Sequence, residues 1–194
     1  MKQDHSNREN ILTCAQRLFY EKGYDSVGVQ EIVNTAGITK PTMYYYFKSK
    51  QGLLECLLEE GGQRILTGMR KAMQTEGEFI EVLEYLIRQY ISVAMENKEF
   101  YLMLMSLFFS AKENEGYKAA RPYIVELLQV LQEFFERMAQ THPKMQGKED
   151  FLSISLTGIV NTYMLVFFER KTLDEVLQDE TIVKDIANQF AMYE

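Results

Sequence analysis

Three consecutive tyrosines, Tyr44, Tyr45 and Tyr46, stand among Lys40, Pro41, Thr42, Lys48 and Lys50. Phenol hydroxyls donate to phosphate oxygens, aromatic rings meet thymine methyl groups, and ammonium groups neutralise phosphate charge. This chemistry suits a nucleic-acid surface. Residues for bond making are scarce, with 2 His and 2 Cys in 194 residues. His5 lies in a polar N-terminal stretch and His142 abuts Pro143, neither with an evident partner. Cys14 and Cys56 stand where small apolar residues fit; buried thiols are the plainer reading and a redox pair the sharper one. There is no glycine-rich phosphate loop, nucleophile elbow or Cys/His metal spacing. Carboxylates alone leave only magnesium or calcium as candidate metals. The expectation is a non-enzyme without cofactor or metal.

The elements around the tyrosines decide what they can touch. Ser6 and Glu9 have the spacing of a capping box. Behind them Ile11, Leu12, Ala15, Leu18 and Phe19 recur at helical spacing, up to a stop at Gly23. Gly28 can cap a second helix, with Glu31 in its first turn and Ile32, Val33 and Ala36 on its inner stripe. Gly37 supplies a tight turn, since glycine tolerates left-handed backbone. Thr39 caps a third, short helix, and Pro41 fits its first turn without losing an amide bond. Two short helices joined by such a turn form a helix-turn-helix. On the third helix Met43 and Phe47 share one face. At about 100° per residue, Pro41, Thr42, Tyr44, Tyr45 and Lys48 then point away from it. The bland alternative is that the tyrosines are packing residues.

The run Gly23-Tyr24, Ile32, Ala36-Gly37-Ile38-Thr39-Lys40, Tyr44 to Lys50 and Leu53-Leu54 resembles the DNA-binding domain of the TetR (tetracycline repressor) family, over about residues 8–58. The resemblance implies an all-α regulator that binds operator DNA as a two-fold dimer and releases it on binding a small molecule. It places Lys40, Pro41, Thr42 and Tyr45 at positions that read bases, and Thr39, Tyr44, Tyr46 and Lys50 at positions that hold phosphate. Gly28 stands where the family carries a Thr or Ser hydroxyl, so only its amide is left for that phosphate. Val33 replaces the usual alanine.

Beyond residue 50 no repeat, low-complexity run or linker appears. Helices are expected at Lys50 to near Met73, Glu78 to Glu96, Phe100 to Ala111 (apolar nearly all round), Pro122 to about Thr141, Glu149 to Arg170 and Thr181 to Tyr193, about nine in all. Gly61-Gly62 inside the fourth helix is either close packing or a bend, since each glycine weakens a helix by roughly 1 kcal/mol. Met and aromatic side chains are frequent, and flexible thioethers with rings suit an adaptable apolar pocket. The resemblance places that pocket between the fifth and eighth helices. Leu86, Tyr90, Met105, Phe109, Leu127, Asn161 and Tyr163 are candidates for its lining. Ser106, Thr157 and Asn161 either orient a ligand or bond their own helix carbonyls. Small residues Ser153, Ser155, Thr157, Gly158 and Thr162 permit close helix approach, and with Ile182, Val183, Ile186 and Phe190 they fit a homodimer contact through the last two helices.

Composition sets the outer bounds. Hydrophobic residues make up 46% and charged residues 25%, enough apolar surface to offset chain entropy. Only 3 prolines favour long helices. The N-terminus has no apolar core for a signal peptide, and Phe100 to Ala111 is too short to span a bilayer. A cytoplasmic protein without a membrane contact is expected. Net charge is −7, but residues 1–50 hold seven Lys/Arg against five Asp/Glu, while residues 51–194 hold fourteen against twenty-three. A basic head therefore joins an acidic body. The expected architecture is a three-helix helix-turn-helix head at residues 1–49 and a helical ligand-binding and dimerisation body at residues 50–194. The function expected is a transcriptional regulator, a repressor released by an apolar or aromatic ligand. The alternatives are a regulator answering to a protein partner or to thiol redox state, and a small-ligand carrier that does not bind DNA.

Overall fold

The computed structural model describes residues 2–170, 175 and 180–194. Among the described residues there are nine α-helices and no strand. They are α1 (Lys2–Lys22), α2 (Val29–Ala36), α3 (Lys40–Phe47), α4 (Lys50–Met73), α5 (Phe79–Glu96), α6 (Lys98–Phe108), α7 (Glu115–Ala139), α8 (Glu149–Arg170) and α9 (Glu180–Asn188). Short 3-10 turns follow at Pro143–Met145 and Ala191–Tyr193. The chain divides into two compact units, residues 1–63 with 99–124, and residues 64–98 with 125–194.

In the first unit α1 buries Ile11, Leu12, Ala15, Leu18 and Phe19, the stripe expected from spacing. It starts at Lys2, ahead of the Ser6 box, so Ser6 lies inside the helix and caps nothing. Gly23 ends it with φ +80°, where glycine avoids the Cβ clash of left-handed backbone. Asn10 ties α1 to the end of α2 by donating to the Ala36 carbonyl at 2.8 Å. Arg8 pairs with Glu60 of α4 at 2.7 Å and lies 5.7 Å from the Phe47 ring centre. The α4 glycines resolve as close packing. A Cβ on Gly61 would stand 2.3 Å from the Phe100 ring, and one on Gly62 would stand 2.4 Å from Tyr123. The helix stays regular through both.

The start of α7 differs from expectation. Asn114, not Pro122, begins it: the Asn114 Oδ1 accepts from the Gly116 amide at 2.7 Å. Pro122 lies in the interior of α7. It removes one amide donor there, and the helix continues through it.

The second unit packs α5, α8 and α9 together with the C-terminal part of α7. Phe79 and Phe134 stack at 6.4 Å and Phe135 and Phe190 at 6.0 Å. Helix α8 buries Leu152, Leu156, Val160, Met164 and Phe167 on one side. Its other side leaves Phe151, Ile154, Leu165 and Val166 exposed. The window Glu149–Glu169 is long and apolar enough to cross a bilayer, which the length argument from Phe100 to Ala111 had missed; 39% of it is buried within the chain.

Candidate nucleic-acid interface

Thr39 has extended backbone and caps α3, its Oγ1 accepting from the Thr42 amide at 3.4 Å. The two hydroxyls lie 2.9 Å apart, so one donates to the other. Pro41 fills the first turn. Met43 and Phe47 are buried at 0% and 3%, and this anchoring turns the opposite face outward. On that face Tyr45 is 68% exposed and Tyr44 41%. Lys40, Pro41 and Lys48 are exposed, and Thr42 and Tyr46 are half-buried. Tyr46 meets Tyr45 edge-on at 5.1 Å and packs toward Phe47 at 6.0 Å, so it braces the outer tyrosine. Lys48 ends α3 with φ +66° and turns its ammonium back to the Tyr45 carbonyl at 3.3 Å.

Lys50 has a use that spacing did not reveal. Its ammonium donates to the Tyr24 and Val27 carbonyls, each at 3.1 Å, and lies 4.1 Å from the centre of the Tyr24 ring. It therefore fastens the start of α4 to the turn between α1 and α2. An ammonium has three donors, so one N–H remains. Gly28 caps α2 in extended conformation, φ −91°, with its carbonyl accepting from Glu31 and Ile32 and no side chain to help. A Cβ there meets nothing within 4 Å, so neither space nor backbone demands glycine.

Tyr24, at the turn after α1, is a junction. It is 4% exposed and packs edge-on against Phe19 at 5.1 Å. Its hydroxyl donates to Glu115 at 3.2 Å. Burial first, then that bond to a carboxylate, pushes the phenol well above its ordinary range. The Asn114 cap was legible as an Asn followed by Glu, a usual helix start. Its partnership with residues 24–25, some ninety positions away, left no local mark.

The candidate ligand lining is placed less coherently. Leu86, Tyr90 and Leu127 are buried in the second unit and Tyr163 is half-buried. The Tyr90 hydroxyl donates to the Asn161 side-chain oxygen at 2.9 Å, so these two satisfy one another. Met105 is buried in the first unit. Phe109 is 79% exposed just past the end of α6, because the buried run stops at Leu107. It is withdrawn from any interior lining, and α6 is not buried all round. Thr157 donates to the Ser153 carbonyl at 2.8 Å, the back-bonding alternative. A surface groove of about 690 Å³ is lined by residues 75–79 and by Arg137, Met138, Gln140, Thr141 and His142, none of them a candidate. Among the described residues no group of three His, Cys, Asp or Glu is placed to hold a metal ion.

A buried-base, exposed-face α3 behind a capped turn defines a helix-turn-helix. The family described as bacterial regulatory proteins, tetR family, matches residues 11–57. The HTH-type transcriptional activator FasR of Mycolicibacterium smegmatis is 34% identical over 68 residues, 35% of this chain and 31% of that one. The HTH-type transcriptional repressor BdcR of Escherichia coli is 36% identical over 86 residues, 42% of this chain and 44% of that one. The chain spans about a third to a half of the length of the curated relatives it matches. Among solved structures, a Clostridium perfringens protein described as a regulator of fatty acid metabolism superposes with TM-score 0.78 at 24% identity, covering 92% of this chain and 97% of that one. MbdR of Azoarcus sp. CIB gives 0.77 at 21%, covering 94% and 97%. Residues 11–57 are thus similar to the DNA-binding domain of the tetR family, and the whole chain shares the all-helical fold of these solved structures.

Proposed function

We propose that this chain binds operator DNA as a homodimer and acts as a repressor, released by a small apolar or aromatic ligand. Residues 1–49 serve as the DNA-binding domain and residues 50–194 as the ligand-binding and dimerisation domain. The observation that carries the reading is the outward face of α3, where Tyr45 and Tyr44 stay in solvent over a fully buried Met43. Neighbouring exposed rings on one face, flanked by exposed Lys40 and Lys48, form a surface suited to meeting a partner. Lys40, Pro41, Thr42 and Tyr45 then face base edges in the major groove, and Thr39, Tyr44, Tyr46, Lys48 and the Gly28 amide face phosphates. Lys50 contributes its third N–H to a phosphate while its other two hold the fold.

The dimer reading rests on α8. Phe151, Ile154, Leu165 and Val166 stand 58%, 61%, 53% and 43% exposed. Gly158 lies among them with open space around its backbone. A glycine inside a helix with no close neighbour in its own chain suits close approach by a second copy. For release, the apolar side chains Leu86, Leu127 and Tyr163 with the Tyr90–Asn161 pair form the proposed lining, and FasR and BdcR, an activator and a repressor by name, leave both signs of control open to related proteins. No cofactor enters this reading.

The test is DNA selection from genomic fragments by the full chain, followed by gel shift. Tyr45→Ala with Lys40→Ala removes two exposed groups that hold nothing in the fold. We expect binding to weaken at least about 10-fold, each base or phosphate contact being worth roughly 1–3 kcal/mol. Unchanged affinity in a folded double variant overturns the assignment of α3.

A further inference from the structure

Helix α7 reaches both compact units: its first residues lie in one, and residues 125–139 lie in the other. Its beginning is built onto the turn between α1 and α2. Asn114 has two tasks at once. Its Oδ1 accepts from the Gly116 amide at 2.7 Å, and its Nδ2 donates to the Asp25 carboxylate. Glu115, the first residue of α7, accepts from the Tyr24 hydroxyl at 3.2 Å. Gly116 brings the backbone in close. A Cβ there would stand 2.5 Å from Leu107 of α6 and 3.6 Å from the Tyr24 ring. From Tyr24 the connection continues without a gap. Its carbonyl and ring hold the Lys50 ammonium, and Lys50 begins α4 three positions after α3 ends.

We propose that Tyr24 and Asp25 are positioning residues for operator binding, and that α7 holds the helix-turn-helix through them. The proposal rests on the DNA-binding dimer argued above and names a connection separate from the covalent one through α4. At the capped end of α7 two hydrogen bonds, of sequence separation 91 and 89, join it to the turn that Lys50 also grips, all within the first unit. Both bonds are made by side chains whose loss leaves the head core and the α7 cap intact. Asp25 is exposed and the Tyr24 oxygen is one atom of a ring that keeps its packing as phenylalanine.

A residue that merely stabilises the fold changes melting temperature. One that positions the two recognition helices changes what spacing of half-sites is accepted, because half-sites lie one helical turn apart and the dimer must match it. The experiment compares wild type with the double variant Tyr24→Phe/Asp25→Ala on a fragment selected by wild type, and on copies with one base pair inserted or deleted between half-sites. We expect the variant to bind the selected fragment about 5-fold or more weakly, within the usual range of coupling between sites. We also expect it to lose less on the altered spacings than wild type does. If the folded variant matches wild type in affinity and in spacing discrimination, the positioning role is wrong. If wild type selects no DNA at all, the DNA-binding reading fails instead. Should the double variant not fold, Tyr24→Phe, which removes a single oxygen, carries the same comparison alone.

Discussion

Gly28 shows how much one residue leaves unused. It caps α2 with extended backbone and no side chain, and added atoms would meet nothing within 4 Å. Serine at this place supplies an oxygen for the first-turn amides, worth only a few tenths of a kcal/mol over glycine. It also offers a hydroxyl toward the phosphate that the glycine amide faces in the proposed complex. A bond to a charged group contributes about 1.5–3 kcal/mol. Gly28→Ser is therefore expected to leave the melting temperature nearly unchanged and to tighten operator binding roughly 10-fold in a gel shift. Equal affinity would place α2 away from the backbone. The outward tyrosines could be read from sequence because a helix has a fixed angular step, so burial of Met43 and Phe47 fixes where Tyr44 and Tyr45 go. Lys50 could not. Its charge suggested a phosphate, but whether an ammonium finds two carbonyls first depends on where residues 24 and 27 fold, and spacing along the chain carries no trace of that.

At the scale of elements, periodic apolar residues located the nine helices among the described residues, since a 3.6-residue repeat is visible within a single segment. Starts were less legible. The Ser6 box lies inside α1, because continuing the helix upstream needs no tertiary partner, whereas the Pro122 signal yielded to the Asn114 cap eight residues earlier. Purpose was hidden too: Gly61-Gly62 reads the same as a bend or a close approach until Phe100 and Tyr123 are seen resting on it. That contact makes a prediction with opposing terms. Alanine in place of a helical glycine gains about 1 kcal/mol in propensity. At Gly61 the new methyl would lie 2.3 Å from a ring that is itself 2% exposed and has little room to retreat. Overpacking of that kind costs about 1–3 kcal/mol. Gly61→Ala is expected to lower stability by about 1 kcal/mol in chemical denaturation, and Phe100→Leu in the same chain to recover part of it. Gly158→Ala, with nothing within 4 Å, is the control and should raise the helix content of an isolated chain slightly.

At the scale of the whole molecule the charge is lopsided, with the acidic excess in the larger part and the basic excess in the first fifty residues. A chain with net charge −7 approaches a polyanion only through a local basic surface, so affinity should fall steeply with salt. In the proposed complex one head supplies few phosphate contacts and two joined heads would multiply them, so a dimer through the exposed side of α8 would strengthen DNA binding although α8 lies far along the chain from α3. The helix that carries this apolar side is, by length and composition, long and apolar enough to cross a membrane, so second copy and lipid are rival coverings. They separate on one variant. Ile154→Arg with Leu165→Arg places charge on two of the most exposed positions of that face while leaving Leu152, Leu156, Val160 and Met164 in the chain's own core. If a second copy covers the face, sedimentation of wild type gives a dimer and of the variant a monomer with unchanged far-UV spectrum. Operator affinity then falls by 100-fold or more, since the second half-site no longer adds to the first, and the salt slope drops to about half. A wild-type monomer that moves onto lipid vesicles would assign the face to a membrane and remove the two-headed grip on DNA.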